Sequence, residues 1–255
     1  MALIAMAVYS TEENQKDKCL ERTLESLKNT VDFAKHRLIL SVNGHTERTR
    51  EIFSWYQEIV SEFIFNNENI GTAEAINKVW RLRQKGEHAI KMDDDVVIHA
   101  SGWVEIMEEV CKDPWIGQVG LKRPDLIENP NHENPFYRSE MIEIEGMIVE
   151  KCHHIMGTCV MHSSNLLGTI GYMWQPALYG FDDSFMSLRS ELAGFKNVFI
   201  PWVKIDHIDE GATPWQKWKE DHSGAQWDAY HKAHADFSSG VKDIYYNPYD
   251  SNNRA

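Results

Sequence analysis

Apolar positions in the first hundred residues alternate between short continuous runs and stripes at helical spacing. Leu3 to Val8 is a buried-strand run, and after a polar stretch Leu20, Leu24, Leu27 and Val31 fall on one helix stripe. Arg37 to Val42 is a second run, ended by the turn pair Asn43-Gly44. The pattern then predicts a helix from about Arg48 to Ile59, a short strand at Phe63 to Phe65, and a helix over Thr72 to Gln84 with Ile76, Val79 and Trp80 inward. Ala89 to Met92 is a short buried strand that runs straight into Asp93-Asp94-Asp95. Strands alternating with amphipathic helices indicate crossover units and a mostly parallel sheet.

The second half reads differently. Lys122 to Pro135 is rich in Pro, Asn and charge and is expected to be a loop. Met141 to Val149 alternates around Glu145-Gly146, the pattern of a β-hairpin or an edge strand. Asp182 to Ala193 is expected as a helix with Phe185, Leu188 and Leu192 inward and Gly194 as its C-cap. A last strand, Asn197 to Ile200, precedes Pro201. Beyond Gly211 the chain is rich in Trp and His, and after Tyr249 the pattern fades into an expected frayed tail. The organisation is thus one domain over 1–248: a first half to residue 100, a second over 101–210, a helical segment over 211–248, and a tail over 249–255.

Composition adds limits. Of 255 residues 42% are hydrophobic and 25% charged, enough for a real core. A net charge of −13 argues against a general binder of polyanions, which are held by surplus Lys and Arg. The apolar run at the start is too short to span a bilayer and lacks the basic flank of a signal peptide, so no membrane span is expected. Cys19, Cys111, Cys152 and Cys159 form no CxxC, and reduced thiols in a cytoplasm are the expectation. A zinc site at Cys152, His154 and Cys159 is disfavoured, because strand alternation puts Cys159 on the other face.

Three adjacent carboxylates at the C-terminal end of a parallel strand repel one another unless a cation sits among them. In an extended stretch Asp93 and Asp95 share a side and Asp94 takes the other, which offers a face of two carboxylates to Mg²⁺ or Mn²⁺. That edge is also where open α/β sheets bind ligands.

Asn69-Ile70-Gly71, Ala75-Ile76-Asn77 and then Met92-Asp93-Asp94-Asp95-Val96 resemble the donor-binding half of glycosyltransferase family 2, of GT-A fold. Ile155-Met156-Gly157-Thr158 and Ser163 to Gly171 resemble the segment walling its acceptor site. Tyr179-Gly180-Phe181-Asp182-Asp183, trailed by Arg189, is similar to its Gly-x-Glu-Asp helix start, and Asp206-His207 resembles the histidine that closes its metal site. The likeness runs from Leu3 to His207 and lies in order and spacing. It implies a Rossmann-like, mostly parallel sheet flanked by helices, with a smaller acceptor-side portion.

By resemblance, Asp95 binds the metal directly, and Asp93 contacts the donor's ribose or the metal through water, with Asp94 beside them. His207 is the second metal ligand. Asp183 is the general base and Asp182 its catalytic neighbour. Tyr9 stacks on the base, and Asn43, Asn69, Gly71 and Asn77 belong to the donor side. The implied partners are Mn²⁺ or Mg²⁺, a nucleotide-diphosphate sugar, and an acceptor that is a glycan, a protein, a small molecule or a modified nucleobase. Two departures stand out. The family's usual Asp before Asn-Gly is Val42 here, which leaves the donor base open, and its Glu is the shorter Asp182.

The resemblance and the chemistry together favour metal-assisted sugar transfer with inversion. A nucleotidyltransferase would carry a Gly-rich basic loop after the first strand, and Tyr9 to Asn14 has neither Gly nor base. A non-catalytic carbohydrate- or metal-binding module would explain the acids and tryptophans but not the ordered set from Asn69 to His207. In the tail, His231 and His234 read as a solvated helix face, and two of Trp215, Trp218 and Trp227 as core.

Overall fold

A computed structural model describes residues 1–124, 139–209 and 226–250. The expected crossover units are present: β1 (Ala2–Tyr9), α1 (Asp17–Thr30), β2 (Arg37–Gly44), α2 (Glu47–Trp55), β3 (Glu62–Phe65), α3 (Thr72–Trp80) and β4 (His88–Met92). These four strands pair in parallel in the order β3-β2-β1-β4. β1 and β2 are almost wholly buried because helices cover both faces, which is why they read as continuous apolar runs.

The chain continues through β5 (Val96–Ile98), α4 (Trp103–Val110), β6 (Ile116–Leu121), β7 (Ser139–Ile144), β8 (Met147–Cys152), β9 (Cys159–His162), α5 (Ser164–Ile170), α6 (Asp182–Leu192), β10 (Lys196–Ile200), β11 (Ile205–His207) and α7 (Trp227–Ser238). β9 inserts antiparallel between β4 and β6 and joins the two halves into one nine-stranded sheet, β3-β2-β1-β4-β9-β6-β10-β8-β7. β7 and β8 form the expected hairpin at the sheet edge. Their turn, Glu145-Gly146, has φ of 48° and 75°, the left-handed pair a type I′ turn needs.

Three expectations on the elements are corrected. α2 and α3 end at Trp55 and Trp80, short of Ile59 and Gln84. After α3 the ladder gives way to tighter turns, with the Leu82 amide on the Val79 carbonyl at 2.9 Å and that of Arg83 on Trp80 at 3.2 Å, and Glu87 accepts the Gln84 amide at 2.7 Å. On α6 the buried face is Phe185, Met186 and Arg189, whereas Leu192 at the helix end is 43% exposed. The Arg189 guanidinium donates to the carbonyls of Tyr172, Ile170 and Ile244, and these contacts replace water for a charge inside the core. Burial pulls its pKa down to about 9.

Among the described residues no helix is long and apolar enough to cross a membrane. Trp215, Trp218, most of the expected loop after Lys122, and the tail from residue 251 lie outside them. Tyr249 packs edge-on to Tyr172 at 5.3 Å and under Arg81 at 4.1 Å.

Candidate active site

The C-terminal ends of β1, β2 and β4 open on a cavity of about 310 Å³, closed on the far side by the segment from Leu178 to Asp183. Tyr9, Asn43, Asn69, Asp93, Asp94, Asp95, Asp182, Asp183 and His207 all line it. Nine of the eleven residues singled out by sequence therefore meet in one place. Gly71 and Asn77 do not line it.

Asn77 is a correction. Its amide donates to the Met173 carbonyl and accepts the Met173 amide, both at 2.9 Å, so it ties α3 to the chain after α5. Gly71 acts through its backbone: its N–H donates to Asn69 Oδ1 at 3.0 Å and its carbonyl accepts from Asn43 Nδ2 at 3.2 Å. These bonds fix the loop that enters α3 and hold Asn43 in place. Asn66 also donates to Asn43 Oδ1 at 2.9 Å. Val42, where the resembled family has an acid, is 1% exposed and packs in the core.

The acidic triplet departs from the strand geometry expected for it. β4 ends at Met92 and the chain turns at Asp94 and Asp95, so the alternation that would pair Asp93 with Asp95 is lost. Instead Asp94 and Asp95 share one cation, the Lys16 ammonium, at 3.4 and 2.6 Å. Asp93 faces another, the Lys91 ammonium, at 2.5 Å. Burial pushes the Asp94 carboxyl up to about 7, partly offset by Lys16. It also raises Asp93, against the pull of Lys91.

Lys91 connects the two halves of the site. It lies in β4 on the same side as Asp93, and its ammonium also donates to the Gly157 carbonyl at 2.5 Å and stands 3.8 Å from Asp182. Gly157 permits that approach, since a Cβ there would sit 2.6 Å from the ammonium and 3.2 Å from Asp183 Cβ.

Asp182 and Asp183 open α6. Phe181, before them, takes a left-handed φ of 66°, a strained conformation for a bulky residue that sets where both acids point. Asp183 accepts the N–H groups of Gly157 at 3.0 Å and Ser184 at 2.7 Å, with His154 at 3.4 Å. Burial works to raise its pKa, but His154, Lys91 and the Gly157 amide outweigh it and hold it well below the usual range. Asp182 is pushed up to about 6, chiefly by burial, and one of its oxygens accepts no hydrogen bond.

His207 reaches the triplet through the small β5–β11 ribbon, in which it pairs with Val96, the residue after Asp95. The Ile208 amide donates to the Asp95 carbonyl at 2.8 Å and locks the register. His207 Nε2 and Asp95 Oδ1 are 3.4 Å apart. Two ligands at right angles on a Mn²⁺- or Mg²⁺-sized ion are about 3 Å apart, so this oxygen–nitrogen pair fits such a cation. Among the described residues no set of three or more His, Cys, Asp or Glu side chains could hold a metal ion.

Sequence reasoning missed both lysines and weighed His154 only as a zinc ligand, whereas it stands beside Asp183. Lys91 had a signal, a lone cation inside an apolar strand run. Lys16 lies two residues beyond Asn14, where the loop after β1 was taken to carry no base; that reading is corrected, for the loop delivers a cation to the site.

The architecture is the GT-A glycosyltransferase fold. The mannosyltransferase PcManGT from Pyrobaculum calidifontis, solved with GDP-Man and Mn²⁺, superposes with a TM-score of 0.64 at 16% identity over 83% of this chain and 57% of its own. GalNAc-T7, solved with UDP, GalNAc and Mn²⁺, gives 0.59 at 12% identity over 84% and 45%. S. aureus TarS gives 0.58 at 12% identity over 81% and 36%. In sequence, 220 residues are 20% identical to the uncharacterized protein y4gI of Sinorhizobium fredii, over 76% of this chain and 23% of that protein. The chain thus spans a quarter to somewhat over half of these proteins' lengths. No family model matches it.

Proposed function

We propose that this chain is a glycosyltransferase of the family 2 type, which moves a sugar from a nucleotide-diphosphate donor to an acceptor hydroxyl with inversion, assisted by Mn²⁺ or Mg²⁺. The observation that carries it is the placement of Asp95 and His207, 3.4 Å apart, in the same cavity as Asp183. The GT-A fold, and the Mn²⁺ in the PcManGT and GalNAc-T7 structures, support it.

In this reading Tyr9, Asn43 and Asn69 line the nucleotide end, and Asp93, steadied by Lys91, meets the ribose. Asp95 and His207 hold the cation, which when bound neutralises charge on the departing diphosphate. Asp183 takes the acceptor's proton as its oxygen attacks the anomeric carbon from the side opposite the diphosphate. The two N–H groups on its carboxylate fix its direction, and its low pKa keeps it ionised. With Asp183 acting as base and not as nucleophile, the transfer is a single displacement, hence inversion.

A thermal-shift screen of UDP- and GDP-sugars, with Mn²⁺ or with EDTA, tests this reading. At least one donor should stabilise the protein, and only with the cation. Stabilisation by none, or equally in EDTA, would contradict it.

A further inference from the structure

The Lys16 side chain is 4% exposed, as is that of Asp95, and the loop before it is built to turn it inward. Asn14 accepts the amides of Thr11 and Lys16 and donates to the Tyr9 carbonyl, while Gln15 takes a left-handed φ of 51°. A non-glycine residue in that region costs free energy, and here it buys the aim of one ammonium at Asp94 and Asp95.

We propose that Lys16 is an internal counter-ion that shares Asp95 with the incoming cation and holds down the affinity of the cation site. The inference rests on the metal-assisted transfer proposed above and assigns to Lys16 a positioning role within it. The Lys16 ammonium stands 2.6 Å from Asp95 and 3.4 Å from Asp94, and Asp209 adds to the acidic field around it. A divalent cation held by Asp95 would stand against the Lys16 charge in a poorly screened site. The site survives without the cation because Lys16 relieves the repulsion between the acids.

The test is a Mn²⁺ titration of the EDTA-stripped full chain, read by the electron paramagnetic resonance of free Mn²⁺, with and without UDP or GDP. Lys16→Met keeps length and removes charge. Without nucleotide it should bind Mn²⁺ at least about tenfold tighter than wild type, since a cation-sized repulsion is removed. Lys16→Arg should stay close to wild type, and in an Asp95→Asn background the gain from Lys16→Met should vanish. If Lys16→Met melts early without metal, the rise of its Tm with Mn²⁺ reads the same tightening.

Mn²⁺ affinity unchanged or weakened by Lys16→Met overturns the inference, as does Lys16→Arg gaining as much. Those results leave the proposed transfer standing. A wild-type chain that binds no Mn²⁺ even with nucleotide contradicts both.

Discussion

The Lys91 ammonium lies 2.5 Å from the Asp93 carboxylate, two positions along the same face of the chain at the end of β4. It also stands 3.8 Å from Asp182, so one buried cation serves a donor-side acid and an acceptor-side acid together.

Lys91→Met should therefore damage both halves. Removing one partner of a buried ion pair leaves uncompensated charge and costs about 3 kcal/mol, the low end because Asp93 is partly exposed. Urea denaturation reads that loss. Lys91→Arg should recover part of it, and a stability equal to wild type in Lys91→Met would show that the pair is incidental.

Asp183→Asn should lower kcat by roughly 10²–10⁴-fold, the typical worth of a positioned base. Donor affinity should hold, because Asp95 and His207 are untouched and the amide retains the start of α6. Asp182→Asn is the control. If Asp182, with its pKa near 6, were the base, that variant would carry the large loss instead. Anomeric configuration of the product by NMR gives an independent check, since a single displacement inverts.

Asp182 also makes a stability signature. Its folded-state pKa is raised from 3.8 to about 6, so the folded chain binds its proton more tightly than the unfolded chain does. The stabilisation from that proton is full below the unfolded value and is lost as pH rises through the folded one. With EDTA present, wild type should lose Tm relative to Asp182→Asn as pH rises from roughly 4 to 7. A constant difference across that window would remove the assigned shift.

His207→Ala should raise the Mn²⁺ needed for half-maximal donor binding by at least about tenfold, since even an outer-shell change at a metal site costs that much. Calorimetry at several Mn²⁺ concentrations measures it. An unchanged titration would reduce His207 to a residue of the β5–β11 ribbon.

The parallel half was legible because it is buried on both faces: Leu3 to Val8 and Ala89 to Met92 have one reading. The site was legible where a residue type is costly to place without a purpose, as with three acids in a row. Alternation misled at Asp94 and Asp95, because it assumes an extended chain and the chain turns there. Lys16 was invisible for a different reason. A lysine beside a helix start is ordinarily solvated, and only the three-dimensional path of the loop brings it to Asp95. Asn77 misled through its place in the resemblance, whereas its partner is Met173, 96 residues on.

The most direct test of the central claim is release of nucleoside diphosphate from a panel of UDP- and GDP-sugars, followed by chromatography with and without Mn²⁺. Wild type should release diphosphate from at least one donor in Mn²⁺ and not in EDTA, and Asp95→Ala should abolish that release while keeping its fold. No release from any donor, or release that survives both EDTA and Asp95→Ala, would contradict the account.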